Sequence, residues 1–432
     1  MIDIKEIREN PEKFKAACEA KKFDVDIDRL LEIENELRER KSILQNISTD
    51  KNRIGKSIPK LSKDEKQSAL AKLSELKQSE TEFQNRIKEL QPEFDELMLQ
   101  VPAPADDDVP VGKDDTENIE IRREGQIRKF DFEPKDHLQL GLALGIIDIE
   151  RGVKLAGTRN YFLKGDGALL HWAVLRFAMD QMVGKGYVPL VVPLLARDEV
   201  MRGTGYFPGG EEQTYQMEKD NLSLVGTAEV PMTAYHSGEI LDAEELPLKY
   251  AAMSSCFRRE AGAAGKDTYG LYRIHQFDKV EQVVICENSI EESKKIHAEI
   301  LANAEAIMAA LELPYRVVNV CTGDLGRGQA KKFDIEAWMP SRGRGGAYCE
   351  THSASKFYDF QARRMNLRYG SRVTSHEPRK NLFCHTLNNT VIASPRILIP
   401  LLELYQNSDG SITIPKVLRD YMNGKEKIES FV

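Results

Sequence analysis

Residues 255–284 read SCFRREAGAAGKDTYGLYRIHQFDKVEQVV, and this stretch decides the fold. An apolar run ends at Phe257, and Arg258, Arg259 and Glu260 follow directly. A Gly/Ala-rich turn covers residues 261–265, and the chain returns through Arg273 to His275, Gln276, Phe277 and Glu281. The spacing predicts two antiparallel strands joined by a long flexible loop, because glycine and Lys-Asp punctuate two β-like runs. Such a hairpin holds arginines, a carboxylate and an aromatic on one rigid floor. Arginine matches the planar, bidentate geometry of phosphate, Phe277 offers a face for a base, and carboxylates hold amines. A charged hairpin whose arginines merely pair with neighbouring acids would show the same composition.

The rest of the chain bounds the choice. At 432 residues it is long for one domain. No apolar stretch approaches the roughly 20 residues of a membrane span. The N-terminus MIDIKEIRENPEKFK is charged from its third residue, unlike a secretion signal, so a cytoplasmic protein is expected. The six cysteines and eight histidines form no CxxC or HExxH pattern, which argues against zinc and for reduced thiols. A net charge of −8 argues against indiscriminate nucleic-acid coating, so an RNA partner has to be argued from a local basic patch.

The patch is near the N-terminus. After a short helix following Asn10-Pro11, Leu30, Ile33, Leu37, Leu44, Ile47 and Ile54 recur at three-to-four spacing, with Arg40 and Lys51 filling the same seam. A second run, Ala69, Leu73, Leu76, Phe83, Ile87, Leu90, Phe94, Leu97 and Val101, is interrupted by Glu80. This is coiled-coil periodicity. Between the runs, Gly55 and Pro59 are expected to end one helix and Ser62 or Asp64 to cap the next. Two helices so joined fold into an antiparallel arm on the order of 50 Å long. Its tip gathers Lys51, Arg53, Lys56, Lys60 and Lys63, a composition suited to a phosphate backbone. Proline, glycine and aspartate then mark a linker over 102–118, which divides an N-terminal domain (1–101) from a second domain (119–432).

FRREAG and GLYRIHQFDKVEQ resemble motif 2 of the class II aminoacyl-tRNA synthetases, the seryl-tRNA synthetase family in particular. In order along the chain, the helix of 160–187 and the strand Val188–Val192 resemble motif 1. Thr227-Ala228-Glu229, TGDLG (322–326), ETHSAS (350–355) and DFQARR (359–364) match the seryl enzymes, and HTLNNTVIASPR (385–396) resembles motif 3. Val391 and Pro395 stand where that motif commonly has glycine. Pro395 can serve as a first helical residue, and the aim of Arg396 is expected to survive. SRGRGGAY (341–348) is longer and richer in glycine than usual and reads as a mobile loop.

The resemblance covers nearly the whole chain and implies an α+β fold: an antiparallel sheet flanked by helices, with the helical arm in front. It implies ATP-dependent activation of L-serine and its transfer to tRNA with a long variable arm, including tRNA for selenocysteine where present, by a homodimer. Arg258 and Arg396 would be catalytic. ATP would be held by Arg258, Arg259 (through its backbone), Glu260, Arg273, Phe277, Glu350, Thr351, His352, Ser353 and Arg396, with Mg2+ on Glu350 and Ser353. Serine would lie on Thr227, Ala228, Glu229, Glu281, Asn388 and Thr390, and the arm's tip would grip tRNA. Phe277 and Glu281 fall on one face by the period of two, and the carboxylate of Glu281 is expected to meet bound serine rather than Lys279 or Arg273. Two other classes share parts of the pattern: a paralogue charging a carrier protein, which would lack the basic-tipped arm, and a non-catalytic coiled-coil RNA binder, which would lack the motif residues.

Overall fold

The computed structural model describes residues 1–262, 268–370 and 381–430. Two compact units divide it, Ile2–Pro102 and Ala103–Val432.

The first unit is helical. Short helices α1 (Ile4–Glu9) and α2 (Pro11–Lys21) each start on an asparagine or aspartate cap. The arm follows as α3 (Ile27–Ser57) and α4 (Lys63–Gln100). Ile33, Leu37 and Leu90 are buried between them with Ile87, Phe94 and Leu97 alongside, as the seam predicts. Gly55 does not stop α3. The helix runs on to Ser57, and a 3-10 turn over Ile58–Lys60, containing Pro59, makes the break. Ser62 rather than Asp64 caps α4, in a reciprocal box with Glu65. The polar residues of the seam are each accommodated: Lys51 Nζ lies 2.6 Å from Glu80 Oε2, and the Arg40 guanidinium sits 5.6 Å over the Phe83 ring.

The second unit is built on an eight-stranded sheet. Its strands are β1 (Ile119–Glu124), β2 (Val188–Leu190), β3 (Leu248–Phe257), β4 (Gln276–Cys286), β5 (Tyr315–Asn319), β6 (Lys331–Met339), β7 (Ala347–Tyr358) and β8 (His385–Ser394), in the order β1-β5-β6-β7-β8-β4-β3-β2. Every adjacent pair is antiparallel except β2–β3. Helices α5 (Asp166–Gly184), α6 (Ile290–Ala310) and α7 (Leu398–Leu404) share the main apolar core with it. The inner strands β4, β5 and β8 are almost wholly buried, whereas the edge strands β1 and β2 are largely exposed. The segment expected as a linker is tied into this unit from Ala103 onward. Ala103 and Asp106 donate backbone hydrogen bonds to Arg327 and Ala330, Asp106 pairs with Lys356 and Asp108 with Lys331, and Val109 packs with Val318 and Val320. Pairing with acids lets these lysines be buried, which otherwise costs several kcal/mol per charge.

The hairpin expected over residues 255–284 is β3–β4, closing with Phe257 opposite Gln276. Its flexible loop is described up to Gly262 and from Thr268; residues 263–267 lie outside the described residues. Of the 341–348 segment, residues 341–346 form the β6–β7 turn and Ala347 and Tyr348 open β7; the turn is docked by Ser341, whose N–H and hydroxyl donate to Glu403.

Candidate active site

The sheet face carrying β4, β7 and β8 encloses a cavity of about 230 Å³. Two β-bulges explain which side chains reach it. On β7 the register passes from Ile335↔His352 to Glu336↔Glu350, leaving Thr351 extra. On β8 it passes from Glu281↔Thr390 to Val280↔Ile392, leaving Val391 extra. A bulge inserts one residue and so restores one face to positions three apart. Glu350 and Ser353 therefore line the same cavity, as do Thr390 and Ala393. Val391, one of the departures from the motif 3 pattern, is the bulged residue itself and is fully buried.

The deep end is polar and closed. Glu281 accepts from Thr390 Oγ1 at 3.3 Å and forms an ion pair with Lys279. Lys279 Nζ also donates to Thr227 Oγ1 at 2.8 Å and reaches Thr390 Oγ1 at 3.5 Å. The Glu281–Lys279 pairing, set aside at the sequence level in favour of bound serine, is thus present. The period of two puts both side chains on one face, and a carboxylate so buried requires a partner before any ligand arrives. Glu229 accepts from Gln361 at 2.9 Å. Burial, with the neighbouring Glu281 charge, pushes its carboxyl up to about 7.

The outer end is cationic. Arg258 donates through Nε to Gly226 O at 3.3 Å and lies 5.3 Å over the Phe277 ring. A Cβ at Gly226 would fall 2.2 Å from the Tyr206 hydroxyl, so any larger residue here would displace that ring's end. Arg273 pairs with Glu260 at 2.9 Å. Glu260 has a left-handed backbone, φ 49°, a conformation costing on the order of 1–3 kcal/mol, and Arg159 Nη1 donates to its carbonyl at 2.8 Å. Arg396 stacks 4.4 Å from the Tyr272 ring and donates to Tyr272 O and Glu350 O. Desolvation opposes charge on Glu350, but Arg396, Lys332, Arg258 and Arg273 outweigh it and hold its carboxyl below the usual range.

Of the residues singled out in the sequence, Thr227, Glu229, Arg258, Glu260, Arg273, Phe277, Glu281, Glu350, Thr351, Ser353, Asn388, Thr390 and Arg396 converge on this cavity. Three do not line it. Ala228 is packed among Met232, Leu241 and Tyr250. Arg259 is exposed, and its backbone N–H is already taken by Gln213 O at 2.8 Å. His352 is buried at the bulge, bonded to Thr351 Oγ1, and burial drives its imidazole down to about 4. The basic cluster of the arm also divides. Lys51 belongs to the seam, and Arg53 pairs with Asp50 at 2.8 Å, while Lys56, Lys60 and Lys63 are exposed. Sequence reasoning missed Lys279, Tyr206 and Tyr272 as lining residues. For Lys279 the alternation with Phe277 and Glu281 was the available signal; for Tyr206, within GTGYFPGG, there was none.

Glu350 and Ser353 offer oxygen donors alone, the class that suits a hard divalent cation. Directly across the ladder from Ser353 lies Asp334, whose Oδ2 pairs with Lys332 at 3.4 Å and whose Oδ1 is buried with no hydrogen-bond partner. Glu350 and Ser353, both lining the cavity, therefore fit a hard cation such as Mg2+.

Residues 1–104 match the family described as the seryl-tRNA synthetase N-terminal domain, and residues 213–405 match the tRNA synthetase class II core domain (G, H, P, S and T). The chain is 44% identical to the serine--tRNA ligase of Deinococcus radiodurans, over 99% of this chain and 98% of that one. It is 41% identical to that of Treponema denticola, over 98% of each. Its fold is similar to that of a seryl-tRNA synthetase from Pyrococcus horikoshii complexed with ATP, with a TM-score of 0.92 and 38% identity over 100% of both chains.

Proposed function

Because the chain belongs to the seryl-tRNA synthetase family of class II aminoacyl-tRNA synthetases, we propose that it activates L-serine with ATP and transfers it to tRNA bearing a long variable arm. The observation that carries the reading is one cavity that joins a serine-sized polar end, Thr227, Glu229, Lys279, Glu281 and Thr390, to the arginine-lined end of Arg258, Arg273 and Arg396.

In this reading the serine ammonium lies on Glu229 and its hydroxyl on Glu281 and Thr390. Its carboxylate is aimed at the α-phosphorus by Arg258. The carboxylate oxygen forms the new bond to phosphorus, and pyrophosphate leaves with the electron pair of the broken bond. No covalent enzyme intermediate is needed: positioning and neutralisation of phosphate charge supply the rate. Arg273 takes the γ-phosphate and Glu260 the adenine amine. Arg396 and Phe277 close on the adenine from either side, after Arg258 leaves the Phe277 face for the phosphate. Glu350 and Ser353 would hold Mg2+, which would supply further neutralisation of phosphate charge when bound. The tRNA terminal ribose hydroxyl then attacks the seryl carbonyl, and AMP leaves. Alanine is rejected because the buried Glu281, Lys279 and Thr390 would lose a partner.

A homodimer fits the sheet's end. The edge strand β2 exposes Val188, and Val191 beyond it is fully exposed; Trp172 and Val183 of α5 are exposed as well. An apolar sheet edge of this kind invites pairing.

The deciding experiment combines serine-dependent exchange of pyrophosphate into ATP with a tRNA-charging assay. Both activities are expected. Exchange without charging would favour the carrier-protein class, and neither would favour the RNA binder.

A further inference from the structure

Beneath the cavity, on the opposite face of the sheet, three polar residues stand in one row. Ser255 on β3 is opposite Asp278 on β4, and Asp278 is opposite Ser394 on β8. Ser255 Oγ donates to Asp278 Oδ1 at 2.5 Å. One side chain from α5 spans the rest of the row: His171 Nε2 is 2.9 Å from Asp278 Oδ2, and His171 Nδ1 is 2.8 Å from Ser394 Oγ. His171 is 6% exposed and Ser394 is fully buried. Burial opposes the charge of Asp278, but the bonds from His171 and Ser255 hold its carboxyl below the usual range. The row is therefore a carboxylate bonded on both oxygens, with Ser394 Oγ bonded to the other nitrogen of the His171 ring.

The position of this row gives it a use. Ser255 precedes Arg258 by three residues at the end of β3. Asp278 sits between Phe277 and Lys279, whose side chains take the cavity face. Ser394 lies between Ala393 and Pro395, just before Arg396. One buried imidazole thus bonds directly to β4 and β8, and through Asp278 to β3, at the ends that lead to Arg258, Phe277 and Arg396. The polar pocket of Glu281 and Thr390 lies beyond the register shift at Val280/Glu281, on the far side of a bulge that interrupts the ladder. We propose that His171 is a positioning residue for the ATP half of the site, holding the ends of β3, β4 and β8 in the register that aims Arg258, Phe277 and Arg396. This rests on the functional reading above.

The test uses the full-length enzyme and steady-state pyrophosphate exchange. His171→Ala is expected to raise KM for ATP about tenfold, the scale of one charge-assisted hydrogen bond, with KM for serine within about twofold. His171→Gln is expected to restore most of the loss, because its amide donates to Asp278 and accepts from Ser394. Ser394→Ala, which removes one leg and adds no volume, should move KM for ATP about threefold in the same direction, and it decides the matter if the alanine variant at 171 does not fold. An unchanged KM for ATP in these variants overturns the proposal. So does a matched rise in both KM values with no rescue by glutamine, the mark of general destabilisation. A wild-type enzyme without serine-dependent exchange would overturn the functional reading instead, before any variant is made.

Discussion

Arg273 Nη1 donates to Glu260 Oε2 at 2.9 Å, so the two side chains proposed to hold opposite ends of ATP neutralise each other. Nucleotide binding has to separate them. Each single substitution to alanine loses a contact with ATP but also removes the need to break the pair. The double variant recovers that benefit only once. Its KM for ATP should therefore exceed the product of the two single effects by about threefold, the scale of a partly exposed ion pair. Strict additivity in a double-mutant cycle would show that the pair does not open on binding.

The Lys279–Glu281 pair makes a different prediction, since both side chains are buried. Glu281→Ala leaves an uncompensated ammonium and should destabilise the protein by about 3 kcal/mol, read by chemical denaturation. The same change should raise KM for serine steeply and leave KM for ATP within a few fold. A variant with a normal serine requirement would place the serine pocket elsewhere.

Glu229 predicts a pH dependence. Its carboxyl is pushed up to about 7, so much of it is protonated at neutral pH, and a neutral carboxyl holds an ammonium poorly. Raising the pH ionises it. KM for serine should fall as pH rises between about 6 and 8 and then level off, whereas Glu229→Gln should show a raised, flat profile. A wild-type profile that worsens with rising pH would contradict the assignment.

On the arm, Lys56, Lys60 and Lys63 are exposed and are the cations proposed to meet tRNA phosphates. Replacing all three by alanine should weaken tRNA charging, and the slope of log affinity against log salt should drop by roughly 0.9 per lost contact. Pyrophosphate exchange should not change. Lys51→Met should instead lower the thermal stability of the arm by circular dichroism and leave the salt slope alone.

The periodic parts of the chain were legible: the seam of the arm, the β3–β4 hairpin, and most of the residues that meet in the cavity. What escaped had no periodic signal. The bulges at Thr351 and Val391 change which positions share a face, and no propensity marks a residue that leaves the ladder. Lys279 was visible but discounted, because a period argument says which face a side chain takes and not which neighbour it must neutralise once buried. Ala228 and Arg259 came from the resemblance alone, and local packing assigns one to the core and the other to solvent. The 102–118 segment shows that proline and aspartate mark an irregular backbone without showing what its carboxylates bind.

The Lys51–Glu80 contact has a mechanical meaning for the arm. Leucine seams tolerate sliding, since one apolar layer resembles the next. A slip by one turn would move the tip about 5.4 Å and part the ammonium from its carboxylate, leaving both half-buried and unmatched. A single polar layer of this sort selects one alignment out of several nearly equal ones. The hairpin is thereby a gauge of set length, and the distance from its base to its exposed lysines is not adjustable by sliding.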